Sequence, residues 1–258
     1  TWADKSAAGN APTATGSERP THSAATGPNG TGEVQFDGVD DRLNAGHVIP
    51  EDSSSTIFFV LDRPALGSGE RGGVFQREFV NGEPDRFSGV TLGAGGPNSW
   101  GVDVRDDDGT IASVTASSKT GLQMWQGAVD YDATNSSVTV ELFEDGASVG
   151  SQTVGNFDGA GTPTDELLLM NRDKSASDLE GDVSEVLVFD RAINSAERIV
   201  TQNYLSSKFD LALSADDVYA GDTAGNSDFD HDVFGVGTNG TDAIASATST
   251  GGAVTLDA

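Results

Sequence analysis

Short runs of alternating or β-branched apolar residues, separated by turn residues, recur through most of the chain. Such runs come about every ten residues, which is typical of an all-β sandwich or barrel. The predicted strands are Glu33–Phe36, Thr56–Asp62, Gly73–Arg77, Phe87–Leu92, Trp100–Arg105, Thr110–Thr115, Leu122–Val129, Ser137–Phe143, Ser148–Val154, Glu166–Met170 and Val183–Phe189.

Two of the turns between these runs are well marked. Asp106, Asp107 and Asp108 lead into Gly109 and predict a plain turn. The segment Glu144–Gly146 predicts a hairpin turn, because Asp-Gly supplies the left-handed backbone that tight hairpins need. The strand before that turn alternates apolar and polar residues, so we expect one of its faces to contact water.

One segment departs from the strand pattern. Asn194 is a good helix N-cap, and Glu197 three residues later completes a capping box. Apolar and small residues then recur at helical spacing, which predicts one short helix with a side that lies on a sheet. The residues on that side are Ile193, Ala196, Ile199, Val200, Asn203 and Tyr204.

The two ends of the chain differ from the middle. Residues 1–32 are rich in Ala, Gly, Thr and Pro and predict a surface loop anchored by Trp2. Residues 210–258 hold too few apolar residues for a core of their own. We therefore expect a main domain over 1–209 and an extension that adds edge strands to it, rather than a separate lobe. The short strand-like pieces of that extension are Val218–Ala220, Val233–Val236 and Ala253–Leu256.

The net charge of the chain excludes some classes of function. The 258 residues carry 41 acidic and 14 basic side chains, a formal net charge of −27. Nucleic-acid binding is excluded because it requires a basic face, and an acidic membrane surface would repel the chain. Two interpretations remain: solubility in a salty medium, or carboxylates that bind Ca²⁺, which prefers oxygen ligands.

Other reactive groups are scarce. There is no cysteine, which excludes disulfides, thiol catalysis and thiolate metal sites. His22, His47 and His231 are far apart, so a zinc site or a Ser-His-Asp triad is not expected. No apolar run reaches the ~20 residues of a membrane span. No signal peptide is visible at Thr1, and we expect a mature or excised form.

Four stretches resemble a known family: TWADKSAAGNAPTA, RPTHSA, VQFDGVDDRLNAG and GDVSEVLVFDRAINSAERIVTQNYLSSKF. Together they resemble the laminin-G-like, concanavalin A-like lectin/glucanase modules of large bacterial surface proteins, over residues 1–209. The tail, with DDVYAGD and DFDHDVFGVG, is similar to segments that follow such modules in secreted adhesins. The resemblance implies a jelly-roll β-sandwich that binds sugars or proteins, often with Ca²⁺. The usual first strand before Trp2 is missing, so either Val254–Leu256 completes the sheet or the chain starts late.

The resemblance also raises the question of catalysis. Glu180, Asp182 and Glu185 have the spacing of the catalytic strand of laminarinase-like glycoside hydrolases, with a bulge restoring the third carboxylate to the same face. Gly181 and Ser184 replace the apolar residues expected between them, and Glu180 is expected in the loop before the strand. We therefore predict that the chain is not an enzyme.

Two acidic clusters are candidate metal sites. Asp228, Asp230 and Asp232 alternate, so an extended segment would place all three on one face, where Ca²⁺ would relieve their repulsion. The alternative is an acidic edge that deters strand aggregation. Asp37, Asp40 and Asp41 most simply fix a turn through side-chain-to-backbone hydrogen bonds. The candidate metal ligands are Asp228, Asp230, Asp232, Asp37 and Asp41.

Ligand contacts are expected around the Gly-rich stretch at 93–98, which predicts a loop at the rim of the sandwich. An exposed indole can stack on a sugar, although the apolar neighbours of Trp100 and Trp125 favour burial in the core. The candidate ligand-binding residues are Trp100, Asp103, Arg105 and Asn98.

These observations predict a non-catalytic, Ca²⁺-dependent glycan-recognition module of a secreted or cell-surface protein. Its partners would be a glycan or cell-surface ligand and neighbouring domains of a larger protein. The alternatives are a structural spacer in a fibrous adhesin or virion appendage and, last, a laminarinase-like glycoside hydrolase that uses Glu180, Asp182 and Glu185.

Overall fold

The computed structural model describes residues 2–6, 8–50, 53–64, 72–79, 87–96, 99–106, 108–157, 167–170 and 179–222, and four strand segments beyond Asp222. At 75–79, 87–89 and 94–96, and in those four segments, only the backbone is described. The chain divides into two compact units: residues 1–144 with 148–192, and residues 145–147 with 193–258.

The first unit is a sandwich of two antiparallel sheets, as predicted. Its strands are β1 (Thr21–Ser23), β2 (Glu33–Asp37), β3 (Leu43–Asn44), β4 (Ser55–Arg63), β5 (Gly72–Phe79), β6 (Phe87–Gly96), β7 (Ser99–Arg105), β8 (Ile111–Ser117), β9 (Gly121–Asp132), β10 (Ser137–Glu144), β11 (Ala147–Gly155), β12 (Leu168–Leu169) and β13 (Glu180–Phe189). Seven strands form one sheet in the order β1-β2-β13-β4-β9-β10-β11. Six form the other, in the order β3-β12-β5-β6-β7-β8.

The core lies between the inner faces of the two sheets. Alternate residues of the strands point inward, so that Ile57, Phe59 and Leu61 of β4 belong to the same buried cluster as Val102 of β7. At the centre, the rings of Phe59, Trp100 and Trp125 form a continuous stack, with centroids 5.9 and 5.5 Å apart. Stacked aromatic rings bury much apolar area and also add directional attraction, so this stack is a main source of stability.

The N-terminal 32 residues are more regular than predicted. β1 pairs with β2, and 3₁₀ turns occupy Gly16–Glu18 and Pro28–Gly30. The pairing of Thr21 with Gln35 shows why a short polar segment becomes a strand: a neighbouring strand supplies its hydrogen bonds. Trp2 packs against the core, which confirms its predicted anchoring role.

The hairpin between β10 and β11 is confirmed. Asp145 and Gly146 both have a positive φ, 46° and 85°, as a two-residue turn of this hand requires. The Asp106 turn is also confirmed: the Asp106 carboxylate accepts the Thr110 N–H at 2.6 Å.

The second unit contains the one α-helix of the described residues, α1 (Ser195–Phe209). The predicted capping box is present: the Asn194 side chain accepts the Glu197 N–H at 2.9 Å, and the Glu197 carboxylate accepts the Asn194 N–H at 3.0 Å. The helix ends at Asp210, which adopts the left-handed conformation.

The predicted buried side of the helix was partly wrong. Tyr204 is exposed, whereas the polar residues Gln202, Ser206 and Ser207 are buried. Burial of polar groups is possible here because they are hydrogen-bonded: Arg198 donates to Gln202 at 2.9 Å, and Ser206 donates to the Leu211 carbonyl at 2.6 Å.

The tail differs from its predicted strands. Val218–Ala220 is not a strand; the N–H groups of Val218 and Tyr219 donate to the Asn203 side chain instead, at 2.8 and 2.9 Å. Beyond it, β14 (Thr238–Asn239) pairs with β15 (Asp242–Ala243), and β16 (Ser246–Thr248) pairs with β17 (Thr255–Asp257). β17 pairs with β16 and so does not complete the main sheet. The piece at 233–236 lies outside the described residues, and the domain boundary at Phe209 stays a prediction.

None of the helices that the structure describes is long and apolar enough to cross a membrane.

Candidate functional site

Strand β7 separates the predicted ligand-binding residues into two groups. Its inward residues belong to the core, and Trp100 is only 1% exposed between the rings of Phe59 and Trp125. Trp100 is therefore not available to stack on a sugar, and that candidate was wrong. The apolar alternation around Trp100 was the better guide to its position.

Asp103 and Arg105 lie on the outward side of β7, and both are half-buried. The pairing register places Thr91 of β6 and Ser113 of β8 on either side of Asp103. The Thr91 hydroxyl donates to the Asp103 carboxylate. A carboxylate, a guanidinium and two hydroxyls are thus brought to one face of the six-stranded sheet, and we call these four residues the β7 face.

The next outward position of β7 after Asp103 is Arg105. Gly89 of β6 is paired with Arg105 on one side and with Arg77 of β5 on the other. The β7 face therefore has hydrogen-bond donors and acceptors of both charges, as recognition of sugar hydroxyls requires. Asn98, the fourth predicted ligand residue, lies outside the described residues.

The turn after β2 brings three carboxylates together. Ligand oxygens of Asp37, Asp40 and Asp41 all lie within 4.8 Å of one another. The Asp41 carboxylate accepts the Asp37 N–H at 3.0 Å, and the Asp37 carboxylate accepts the Val39 N–H at 2.9 Å. These bonds confirm the predicted role of the aspartates in fixing the turn, and Gly38 supplies its positive φ of 71°.

The same turn also fits a hard cation. Burial raises the pKa of the Asp41 carboxyl, and the charges of Asp37 and Asp40 raise it further. Three carboxylates at this separation can share one Ca²⁺, whose oxygen ligands lie at about 2.3–2.6 Å from the ion. The second predicted cluster, Asp228, Asp230 and Asp232, lies outside the described residues.

A further acidic group lies on the outer face of the seven-stranded sheet, beside that turn. Asp182 of β13 is paired with Gln35 of β2 and with Asp62 of β4, and Glu180 is paired with Asp37. Burial raises the pKa of the Asp182 carboxyl, and the neighbouring charges of Glu33, Asp62 and Glu180 raise it as well. We call Glu33, Asp62, Glu180 and Asp182 the acidic patch. The sequence did not indicate that Glu33 and Asp62 belong to the acidic patch, because only the strand order places them beside β13.

The three carboxylates with the hydrolase-like spacing, Glu180, Asp182 and Glu185, all lie on β13. The strand begins at Glu180, so the expectation that Glu180 lies in a loop was wrong. A bulge between Val183 and Glu185 shifts the register, and Glu185 is then opposite the outward-facing Val60. Glu180, Asp182 and Glu185 therefore share the outer face. Gly181 has a φ of 156°, and a Cβ there would lie 2.9 Å from the Asp62 carbonyl oxygen, which explains why no apolar residue occupies that position.

Comparison with known proteins gives a likeness in fold. Neither a scan of protein-family models nor a search of curated proteins gives a match. Among solved structures, the binding domain of Paraclostridial Mosquitocidal Protein 1 superposes with a TM-score of 0.53 at 12% identity, covering 72% of this chain and 48% of that one.

Two botulinum neurotoxin domains are similar to the same extent. The serotype G binding domain matches with a TM-score of 0.51 at 11% identity, over 74% of this chain and 47% of that one. The serotype D ligand-binding domain in complex with N-acetylneuraminic acid matches with a TM-score of 0.50 at 9% identity, over 72% and 46%. This chain spans about half the length of these structures, and the likeness shows the β-sandwich fold alone.

Proposed function

We propose that this chain is a non-catalytic recognition module that binds a glycan at the β7 face. The observation that carries this proposal is the half-buried group of Asp103, Arg105 and Ser113 on the outer face of the sheet, beside the buried Thr91, whose hydroxyl donates to the Asp103 carboxylate. Positioned hydroxyl, carboxylate and guanidinium groups fix a sugar by paired hydrogen bonds to its hydroxyls.

The fold supports the same class of function. The solved structures that resemble this chain are named as binding domains, and one of them contains N-acetylneuraminic acid. We infer a binding function for this chain from two observations together: the likeness in fold and the β7 face. An extracellular or cell-surface setting, within an adhesin, belongs to the same proposal.

We also propose that Ca²⁺ binds at Asp37, Asp40 and Asp41. The support is the mutual distance of their ligand oxygens, within 4.8 Å, and the oxygen-only donor set. The ion would stabilise the turn after β2.

Binding to a glycan array tests the proposal for the β7 face. The wild-type chain should bind a subset of glycans, and Arg105→Gln and Asp103→Ala should weaken that binding by about 10- to 100-fold, since each removes a hydrogen bond to a charged group. Glu141→Gln, on the outer face of the other sheet, is the matched control and should bind as the wild type does.

Two results would contradict recognition at this face. The first is an array without binding, at both high and low Ca²⁺. The second is cleavage of a glucan that Glu180→Gln and Glu185→Gln abolish, which would assign the chain to the glycoside hydrolases instead.

A further inference from the structure

Strand β11 is an unusually open edge of the seven-stranded sheet. It runs for nine residues, Ala147–Gly155, and pairs with β10 on one side. In the part of the chain that the structure describes, no strand pairs with its other side. Ser148, Val149, Ser151, Gln152 and Thr153 are all exposed. A free edge of this length presents a row of backbone N–H and C=O groups that can pair with another strand.

The other sheet edges are better protected. β1 has three residues and β3 has two, too few for extended pairing. At the edge of β8, the Ser113 N–H already donates to the Gln152 side chain at 2.6 Å. β11 supplies the Gln152 side chain of that bond, but it is the longest of the four edge strands, and it contains no lysine or proline, the residues that commonly block an edge.

The charge distribution identifies this edge as the place where two copies can meet. The chain carries a net charge of −27, so contacts between most of its surfaces bring carboxylates together. Neither β8 nor β11 contains a charged residue. At the hairpin end of β11, Glu144 is paired with Lys119 at 2.6 Å, which offsets the nearest buried carboxylate.

We propose that two copies of this chain associate through β11, in antiparallel register about a twofold axis centred on Ser151. Antiparallel pairing of a strand with its own copy is self-complementary, as twofold association requires. In that register Ser151 faces Ser151, and the pairs on either side are Gly150 with Gln152, Val149 with Thr153, Ser148 with Val154 and Ala147 with Gly155, so every cross-strand pair is uncharged. The pairing joins the two seven-stranded sheets into one.

This inference goes beyond glycan recognition and does not depend on it. If both hold, the dimer carries two β7 faces, and binding to a surface with many glycans gains avidity of about 10²- to 10⁴-fold over a single contact.

Analytical ultracentrifugation of the full chain over a wide concentration range, at physiological salt to screen the net charge, tests the proposal. The wild type should show a species of twice the mass of one chain. Ser151→Lys places two ammonium groups at the axis and should leave a single chain, with an unchanged circular dichroism spectrum. Thr21→Lys, on the opposite edge of the same sheet, is the matched control and should remain a dimer.

The absence of cysteine allows a test of the register itself. Residues directly opposite in an antiparallel pair have Cα atoms about 4.5–5.5 Å apart, within the range of a disulfide. Ser151→Cys should therefore form a disulfide-linked dimer with oxidised glutathione, and Thr21→Cys should not. A wild-type chain that remains a single chain at all concentrations overturns the proposal, as does a dimer that persists in Ser151→Lys.

Discussion

The two ends of the seven-stranded sheet differ in charge although they share one core. At the β2, β13 and β4 end, the acidic patch and the Asp37 turn bring carboxylates together on the outer surface. At the β11 end, the edge strand carries no charge at all. Inward-facing residues are equally buried at both ends, for example Val183 and Leu142. The comparison teaches that the inner face is built in the same way at both ends, while the distribution of charge separates the end proposed to bind Ca²⁺ from the edge proposed to associate.

The largest expected effect concerns the buried inner face, which both ends of the seven-stranded sheet share. Leu142→Ala, at the β11 end, removes a fully buried side chain and should lower the free energy of unfolding by about 2–5 kcal/mol. Glu141→Ala, the exposed neighbour on the same strand, should change it by less than about 0.5 kcal/mol. Urea denaturation measures both. Equal losses in the two variants would show that the inner face does not dominate stability.

Calcium should act at the acidic end alone. At a free Ca²⁺ concentration of about ten times its Kd, binding to the folded chain should add about 1.4 kcal/mol of stability, because the unfolded chain has no assembled site. The expected result is a rise in Tm that a chelator reverses.

Asp40→Asn is the informative variant for that measurement. Asp40 takes part in neither of the two hydrogen bonds that fix the turn, so its replacement removes a ligand and leaves those bonds in place. The variant should lose most of the Ca²⁺ effect. A wild-type Tm that does not respond to Ca²⁺ would contradict the metal site.

The smallest expected effect concerns repulsion within the acidic patch. Burial and the charges of Glu33, Asp62 and Glu180 raise the pKa of Asp182 on folding. The folded chain therefore holds this proton more tightly, and stability falls as the pH rises from the ordinary pKa of Asp through the raised one. Asp182→Asn should stabilise the chain by about 0.2–1 kcal/mol at neutral pH.

The pH dependence of that gain shows whether the charge of the Asp182 carboxylate, through its burial and its acidic neighbours, is the cause. It should vanish in acid, below the ordinary pKa of Asp, where the wild-type carboxyl is already neutral. Glu141→Gln, which replaces an exposed carboxylate on β10, should show no comparable gain at any pH. A stabilisation by Asp182→Asn that persists unchanged in acid would rule out the charge of the carboxylate as its cause, and thermal unfolding at a series of pH values makes the measurement.

Much of the sandwich was predictable, and the errors share one cause. β7 and β10 follow from local alternation, β4 from a continuous apolar run, and the helix from the cap at Asn194, because these signals lie within a few residues of each other. β1 was missed because a polar strand is stabilised by its neighbour rather than by its own sequence. The strand expected at Val218–Ala220 was wrong because the Asn203 side chain, distant in sequence, binds its backbone instead.

The candidate site was predictable only in part. Asp103 and Arg105 remain as predicted ligand residues on an outward face, whereas Trp100 is enclosed in the core. The hydrogen bonds of Asp37 and Asp41 were expected from their spacing, since such bonds are local. Glu33 and Asp62 could not have been assigned to the patch, because strands far apart in sequence become neighbours only through the sheet order.

The sequence by itself determined the fold class, the capped helix, the hairpin at Asp145 and the net charge of −27, since each depends on composition or on residues close together in the chain. Only the tertiary structure decided that β13 lies between β2 and β4, and that β11 is left at an edge. Those placements bring Asp182 beside Glu33 and Asp62 and leave Ser151 open to a partner. Strand order is set by long-range packing of the inner faces, and that packing is not encoded in the residues of any single segment.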